Sequence, residues 1–191
     1  MAESSMARAS EKDSRETNEL SIIQAARQDP RAFGELYLLY VERVFRYLYS
    51  RIGNVQEAED AAAQTFLVAF ESFARFRQDE HFASWLFTIA RSKAIDHFRR
   101  KRAVSSIDEA ANIATAPDPL SGMIQSEQAA ALSKLIRALP EEDRELLRLR
   151  FLANMSFPEI AHFLQRNEGA VKKNIYRLLA RLHSQLEVSN E

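Results

Sequence analysis

The sequence predicts an all-α protein made of two small helical domains joined by a flexible linker. Three observations carry that expectation. Ala, Leu, Glu and Arg dominate a 191-residue chain with only four Gly and five Pro, and strand-like β-branched runs are few. Apolar residues recur at helical spacing through most of the chain. One stretch, AVSSIDEAANIATAPDPLSG from Ala103 to Gly122, breaks that rhythm with small residues and two prolines, as a boundary between domains does. At 46% hydrophobic and 28% charged residues, each half can bury a core.

The elements follow in order. Residues 1–18 are polar and read as a disordered tail. A first helix covers Glu19 to Gln28. Asp29 then serves as N-cap and Pro30 as first helical residue of RAFGELYLLYVERVFRYLYSRI. That helix lines up Phe33, Leu36, Tyr40, Val44, Tyr47 and Leu48 on one face. Asn54 to Glu57 resembles a capping box and starts a helix to about Arg75. Its apolar row is Ala62, Phe66, Ala69 or Phe70, and Phe73. A polar loop from Arg77 to His81 leads to a helix over Phe82 to Arg102, apolar early and basic late. At its spacing from Ile89, Trp85 belongs to the core. The first domain is therefore 19–102, the linker 103–122 and the second domain 123–187.

In the second domain, Met123 to Leu139 and Pro140 to about Ala153 form two helices. Ser156 and Glu159 then fit a capping box for a short helix with Ile160, Ala161 and Leu164 inward. The chain breaks at Gln165-Arg166-Asn167, and Asn167 suits the N-cap of a second helix. There Val171, Ile175 and Leu178 or Leu179 point inward. Lys172, Lys173, Tyr176 and Arg177 point outward, flanked by Asn174. Two helices with a three-residue break fit a helix-turn-helix, whose second helix enters the major groove. Lys and Arg can meet guanine edges or phosphates there, and Asn can meet adenine.

Charge agrees with local rather than general contact. The net charge is −1, yet HFRRKR (His97 to Arg102) is one basic block, and Lys172, Lys173, Arg177 and Arg181 form another. With no cysteine, disulfides and thiolate chemistry are excluded. The four histidines are scattered, and no phosphate loop or nucleophile motif occurs. No enzymatic activity and no cofactor are therefore expected. The longest apolar runs fall far short of the roughly 18 residues of a membrane span, so no membrane insertion and a cytoplasmic location are expected.

SWLFTIARSKAIDHFRRKR (Ser84 to Arg102) resembles the region-2 signature of bacterial sigma factors, a W-L-x-x-I-A-R core leading through A-[IL]-D to a basic helix end. AEDAAAQTFLVAF (Ala58 to Phe70) is similar to the family's D-A-E-D-x-x-Q-E-x-F segment. LPEEDRELLRLRFLANMSFPEIAHFLQRNEGAVKKNIYRLLARL resembles region 4. Two such domains and a short linker resemble the extracytoplasmic-function group. The resemblance implies binding to core RNA polymerase and to promoter DNA. Asp60 and Gln64 would meet the β′ coiled coil, and the β flap of core polymerase is a further implied contact. Arg77, Arg91, Lys93, Arg99, Arg100, Lys101 and Arg102 would hold the −10 element. Asn167, Lys172, Lys173, Asn174, Tyr176 and Arg177 would read the −35 element. An anti-sigma factor is a further implied partner. The family often has Glu at Thr65, Asn at Ser92, Thr at Ala170 and Arg at Asn174. A second reading is a two-domain regulator of LuxR type, which shares E-I-A and V-K but has no need of the basic W-L-x-x-I-A-R helix.

Overall fold

A computed structural model describes residues 18–77, 81–105 and 127–189. The expected tail, most of the expected linker and part of the Arg77-to-His81 loop lie outside these residues. Helix α1 covers 18–28. Asp29 then caps a 3₁₀ turn, Pro30–Ala32, by accepting from the Arg31 N–H at 2.9 Å. The turn flows into α2, Phe33–Ile52. Gly53 ends α2 at φ 78, and its N–H donates to the Tyr49 carbonyl at 2.8 Å. Glycine adopts that left-handed backbone at no steric cost.

Asn54 caps α3, Val55–Ser72, by accepting from the Glu57 N–H at 3.0 Å. The helix stops three residues before Arg75, and Phe73–Arg75 is a 3₁₀ turn. Helix α4 runs Phe82–Ser105, three residues past the expected end at Arg102. The basic block therefore sits inside the helix rather than at its terminus.

Helix α5 covers Glu127–Arg137 and α6 Glu141–Leu147. The expected helix to Ala153 changes geometry after Leu147: Arg148–Leu152 is a π turn, and the Ala153 N–H donates to the Arg148 carbonyl at 2.8 Å. Asn154, at φ 50, then reverses the chain. Helix α7, Phe157–Leu164, carries a complete capping box: Glu159 N–H meets Ser156 Oγ, and the Glu159 carboxylate accepts from the Ser156 N–H. Helix α8 is Glu168–Ser189. No strand occurs among the described residues.

The predicted stripes form the core. Leu36, Tyr40, Val44, Tyr47 and Leu48 of α2 are fully buried against Ala62, Phe66 and Ala69 of α3 and Leu86, Phe87 and Ala90 of α4. Phe70 is 48% exposed, so Ala69 takes the inward place and lets α3 approach its neighbours. In the second half, Val171 and Ile175 of α8 pack on Ile160 and Ala161 of α7. Leu178 and Leu182 meet Leu139 and Leu147 in a smaller cluster.

Candidate nucleic-acid and polymerase interfaces

The break between α7 and α8 is built by hydrogen bonds that compensate for a missing glycine. Gln165 is left-handed at φ 52, a conformation that costs a non-glycine residue roughly 1 kcal/mol. Two bonds offset it: Arg166 N–H to the Ala161 carbonyl at 2.9 Å and Gln165 N–H to the His162 carbonyl at 3.2 Å. Together they make the paired helix end that normally favours glycine. Asn167 then caps α8, its Oδ1 accepting from the Ala170 N–H at 3.3 Å. A Cβ on Gly169 would stand 3.1 Å from that same Oδ1, so glycine leaves the cap room to close.

With α8 anchored in this way, its polar residues share one side. Val171, Ile175, Leu178 and Leu182 are buried. Lys172, Lys173, Tyr176 and Arg177 are exposed, and Asn174 is half-buried beside them. At 3.6 residues per turn these five span an arc of about 200°. Asn174 Oδ1 accepts from Arg177 Nη2 at 3.1 Å, holding the guanidinium on the surface. The Lys172 ammonium lies 6.0 Å from the centre of the Phe157 ring, and the Arg150 guanidinium lies 5.0 Å from it. Tyr176 packs on the same ring at 6.0 Å. Phe157 therefore gathers Arg150 beside two predicted contacts. Sequence reading missed Arg150 because its distance along the chain hides the shared ring.

Helix α4 divides its cations differently. Arg91 and Lys93 lie about 200° apart around the helix and share no face. The Arg91 guanidinium lies 5.8 Å from the Phe163 ring of α7, while Lys93 is half-buried on the far side. Arg99, Arg100, Lys101 and Arg102 are all exposed. Four consecutive residues step around a full turn, so they ring the helix end. Asp96 holds Arg99 at 3.1 Å. Arg77 is exposed after Phe76, whose ring packs tilted against Trp85 at 5.1 Å and edge-to-face against Phe82 at 5.5 Å. Trp85 is partly buried in that aromatic group, consistent with a core role.

On α3, Asp60 is exposed and Gln64 half-buried, one turn apart on the outward side. Thr65, where the family often has Glu, is fully buried and donates to the Ala61 carbonyl at 2.7 Å. The position cannot offer a surface contact. Sequence reading also missed an apolar groove of about 370 Å³ between α2 and α3. Tyr37, Val41 and Phe45 line one wall and Ala62, Ala63 and Phe66 the other, with Glu42 and Glu59 along it. The signal was present, since Tyr37, Val41 and Phe45 repeat every four residues as a second stripe on α2.

Comparison with known proteins agrees with this geometry. Residues 36–104 match the family model of sigma-70 region 2, and residues 129–182 that of sigma-70 region 4. The chain is 36% identical over 157 residues to the ECF RNA polymerase sigma factor BldN of Streptomyces coelicolor, covering 79% of this chain and 59% of that protein. It is 30% identical over 173 residues to the RNA polymerase sigma-H factor of Pseudomonas aeruginosa, covering 85% of this chain and 90% of the relative. SigW of Bacillus subtilis is 28% identical over 176 residues, with 86% and 94% covered. Among solved structures, CnrH in complex with the cytosolic domain of CnrY matches with a TM-score of 0.63 at 24% identity, over 88% of this chain and 97% of that one. RpoE in complex with the anti-sigma factor NepR, from Bartonella quintana, matches at 0.58 and 23%, over 82% and 97%. These two share the fold.

The chain belongs to the sigma-70 family of RNA polymerase sigma factors. Within that family it is an alternative sigma factor of the extracytoplasmic-function group, which directs promoter-specific transcription initiation. The LuxR-type reading is not favoured. No helix among the described residues is long and apolar enough to cross a membrane.

Proposed function

We propose that three surfaces of this chain divide the work of initiation. The outward side of α3, with Asp60 and Gln64, docks on the β′ coiled coil of core polymerase, and the neighbouring groove takes apolar side chains from the same partner. Arg77, Arg91, Lys93 and the ring Arg99, Arg100, Lys101 and Arg102 hold the −10 element as its strands part. Asn167, Lys172, Lys173, Asn174, Tyr176 and Arg177 read the −35 element, with the rest of the second half facing the β flap. Domain limits of 19–102 and 123–187 fit this division. Bond-making chemistry is left to the polymerase. The chain acts in the cytoplasm and is held in check by an anti-sigma partner.

One observation supports this division above all. The α8 cations share a single exposed side behind a capped and hydrogen-bonded helix break. Fixed donors on a rigid helix are what groove reading requires. The test is reconstituted initiation from core polymerase, this chain and a promoter library. Asp60→Arg with Gln64→Arg is expected to abolish association with core. Neutralising Arg99 to Arg102 is expected to spare association and slow strand opening. Normal core binding by the Asp60/Gln64 variant would overturn the docking assignment.

A further inference from the structure

Helix α1 has no part in the surfaces assigned above, yet it is built into the first half. Ile22, Ile23 and Ala26 bury one side of it in the core shared with α2 and α4. Near its start, the Glu19 carboxylate accepts from the Tyr40 hydroxyl. Near its end stands Arg27, one residue before the helix closes at Gln28. Arg27 Nη2 donates to the Phe76 carbonyl at 2.5 Å, across 49 positions of the chain. Its guanidinium lies 5.9 Å from the centre of the Phe76 ring.

Phe76 is where α3 and its 3₁₀ turn release the chain. The residue is extended, at φ −63 and ψ 124, and its N–H donates to the Phe73 carbonyl at 3.0 Å. Its side chain is 3% exposed. The ring lies 5.1 Å from Trp85, 5.5 Å from Phe82 and 6.1 Å from Phe73. Carbonyls at a helical end lack partners within the helix, and α1 supplies one here. Phe76 is therefore held at its N–H, its ring and its carbonyl.

The hold on the carbonyl governs direction. A peptide unit is planar, so the Phe76 oxygen, the Arg77 nitrogen and the Arg77 Cα turn together as one plate. The ring and the N–H fix the frame at Phe76 but leave rotation of that plate open. The bond from Arg27 closes it. A modest turn there is magnified along the Arg77 side chain, enough to carry its guanidinium out of hydrogen-bond distance of a fixed phosphate. Arginine suits the task at position 27, because its flat fork can face an aromatic ring and still give a directed N–H to an oxygen. A lysine ammonium donates without that fixed plane.

We propose that Arg27 is a positioning residue for promoter opening: it aims Arg77 at the −10 element from a helix outside that surface. The inference rests on the assignment of Arg77 to the −10 surface and adds the residue that sets its direction.

The test is the rate of open-complex formation by holoenzyme rebuilt from core polymerase and the full chain, read by permanganate reactivity of unpaired thymines. Arg27→Met keeps an apolar stem and removes the donor, and Arg77→Ala removes the aimed cation. Each is expected to slow opening by about fivefold or more. The double variant is expected to open no more slowly than Arg77→Ala alone, because Arg27 then has nothing to aim. Arg27→Lys keeps a donor and recovers part of the rate, while association with core stays at the wild-type level in every Arg27 variant. Four results would overturn the positioning role and leave the −10 assignment standing: losses that multiply in the double variant, a normal rate in Arg27→Met beside a slow Arg77→Ala, no recovery by Arg27→Lys, or a fall in core association that matches the fall in opening. A normal rate in Arg77→Ala would instead overturn that assignment, and this inference with it.

Discussion

Replacing Lys172 and Arg177 with alanine tests the α8 surface most directly. Both side chains are exposed on the outward side and neither supports the core. Arg177 donates to Asn174 of its own helix, so the fold should survive. Each phosphate neutralised contributes about −0.9 to the slope of log affinity against log salt. If both contact phosphates, the slope shallows by about 1.8, and the variant's deficit shrinks about 12-fold between roughly 50 and 200 mM salt. If Arg177 instead grips a guanine edge, the slope changes by about half as much. Discrimination at one −35 position then falls by about 1–3 kcal/mol. Fluorescence anisotropy of labelled promoter DNA with the holoenzyme, run as a salt series on matched and substituted −35 elements, separates these outcomes. An unchanged salt slope with unchanged discrimination would refute the assignment. So would loss of core binding, which would mean that α8 faces polymerase.

Three further perturbations follow from local geometry. Ser156→Ala opens the capping box of α7 and should cost the second half about 1 kcal/mol, read by thermal denaturation, with Ser156→Asp restoring most of it. Phe82→Ala empties a site touching Tyr40, Phe73, Phe76 and Trp85. It should cost about 3–5 kcal/mol in denaturant melts, whereas the exposed Phe70→Ala should cost far less. Stability should also fall at alkaline pH. Burial holds the Tyr40 and Tyr47 phenols well above the ordinary tyrosine value, reinforced by the Glu19 and Glu145 carboxylates they bond. The unfolded chain loses those protons first, from about pH 10, so stability is full below that pH and declines as pH rises through it. An alkaline loss of stability as steep in a Tyr40→Phe, Tyr47→Phe double variant as in wild type would contradict this.

Much of the fold was legible because helices announce themselves locally. Asp29, Asn54, Ser156 and Asn167 each cap where the residue pattern places them, since a cap needs only neighbours two or three positions away. The stripes of α2 and α4 likewise translated into burial. Less legible were features that depend on distant partners. The π turn has no sequence signature here; Arg43 donates to the two carbonyls that follow it, those of Ala153 and Asn154. Gln165 adopts a glycine-like turn because two hydrogen bonds stabilise it, not because its side chain favours it. Thr65 faces inward because α3 is packed on both α2 and α4, a fact that motif alignment cannot weigh.

The candidate surfaces divide in the same way. The α8 contacts lie within a few turns of one helix, so spacing alone brings them together. The α4 cations form one group along the sequence, yet packing parts them: Arg91 turns toward Phe163 and Lys93 away. Arg150 joins the α8 surface only through Phe157, and the α2–α3 groove exists only once two helices lie side by side. The sequence by itself determined the helices, their caps and the motifs of a sigma factor, because those rest on local hydrogen bonding and periodic burial. Tertiary structure decided which half covers which, since Glu145 finds its partners 94 and 98 residues away. Contacts across such distances depend on how the helices stack rather than on any neighbour in the chain.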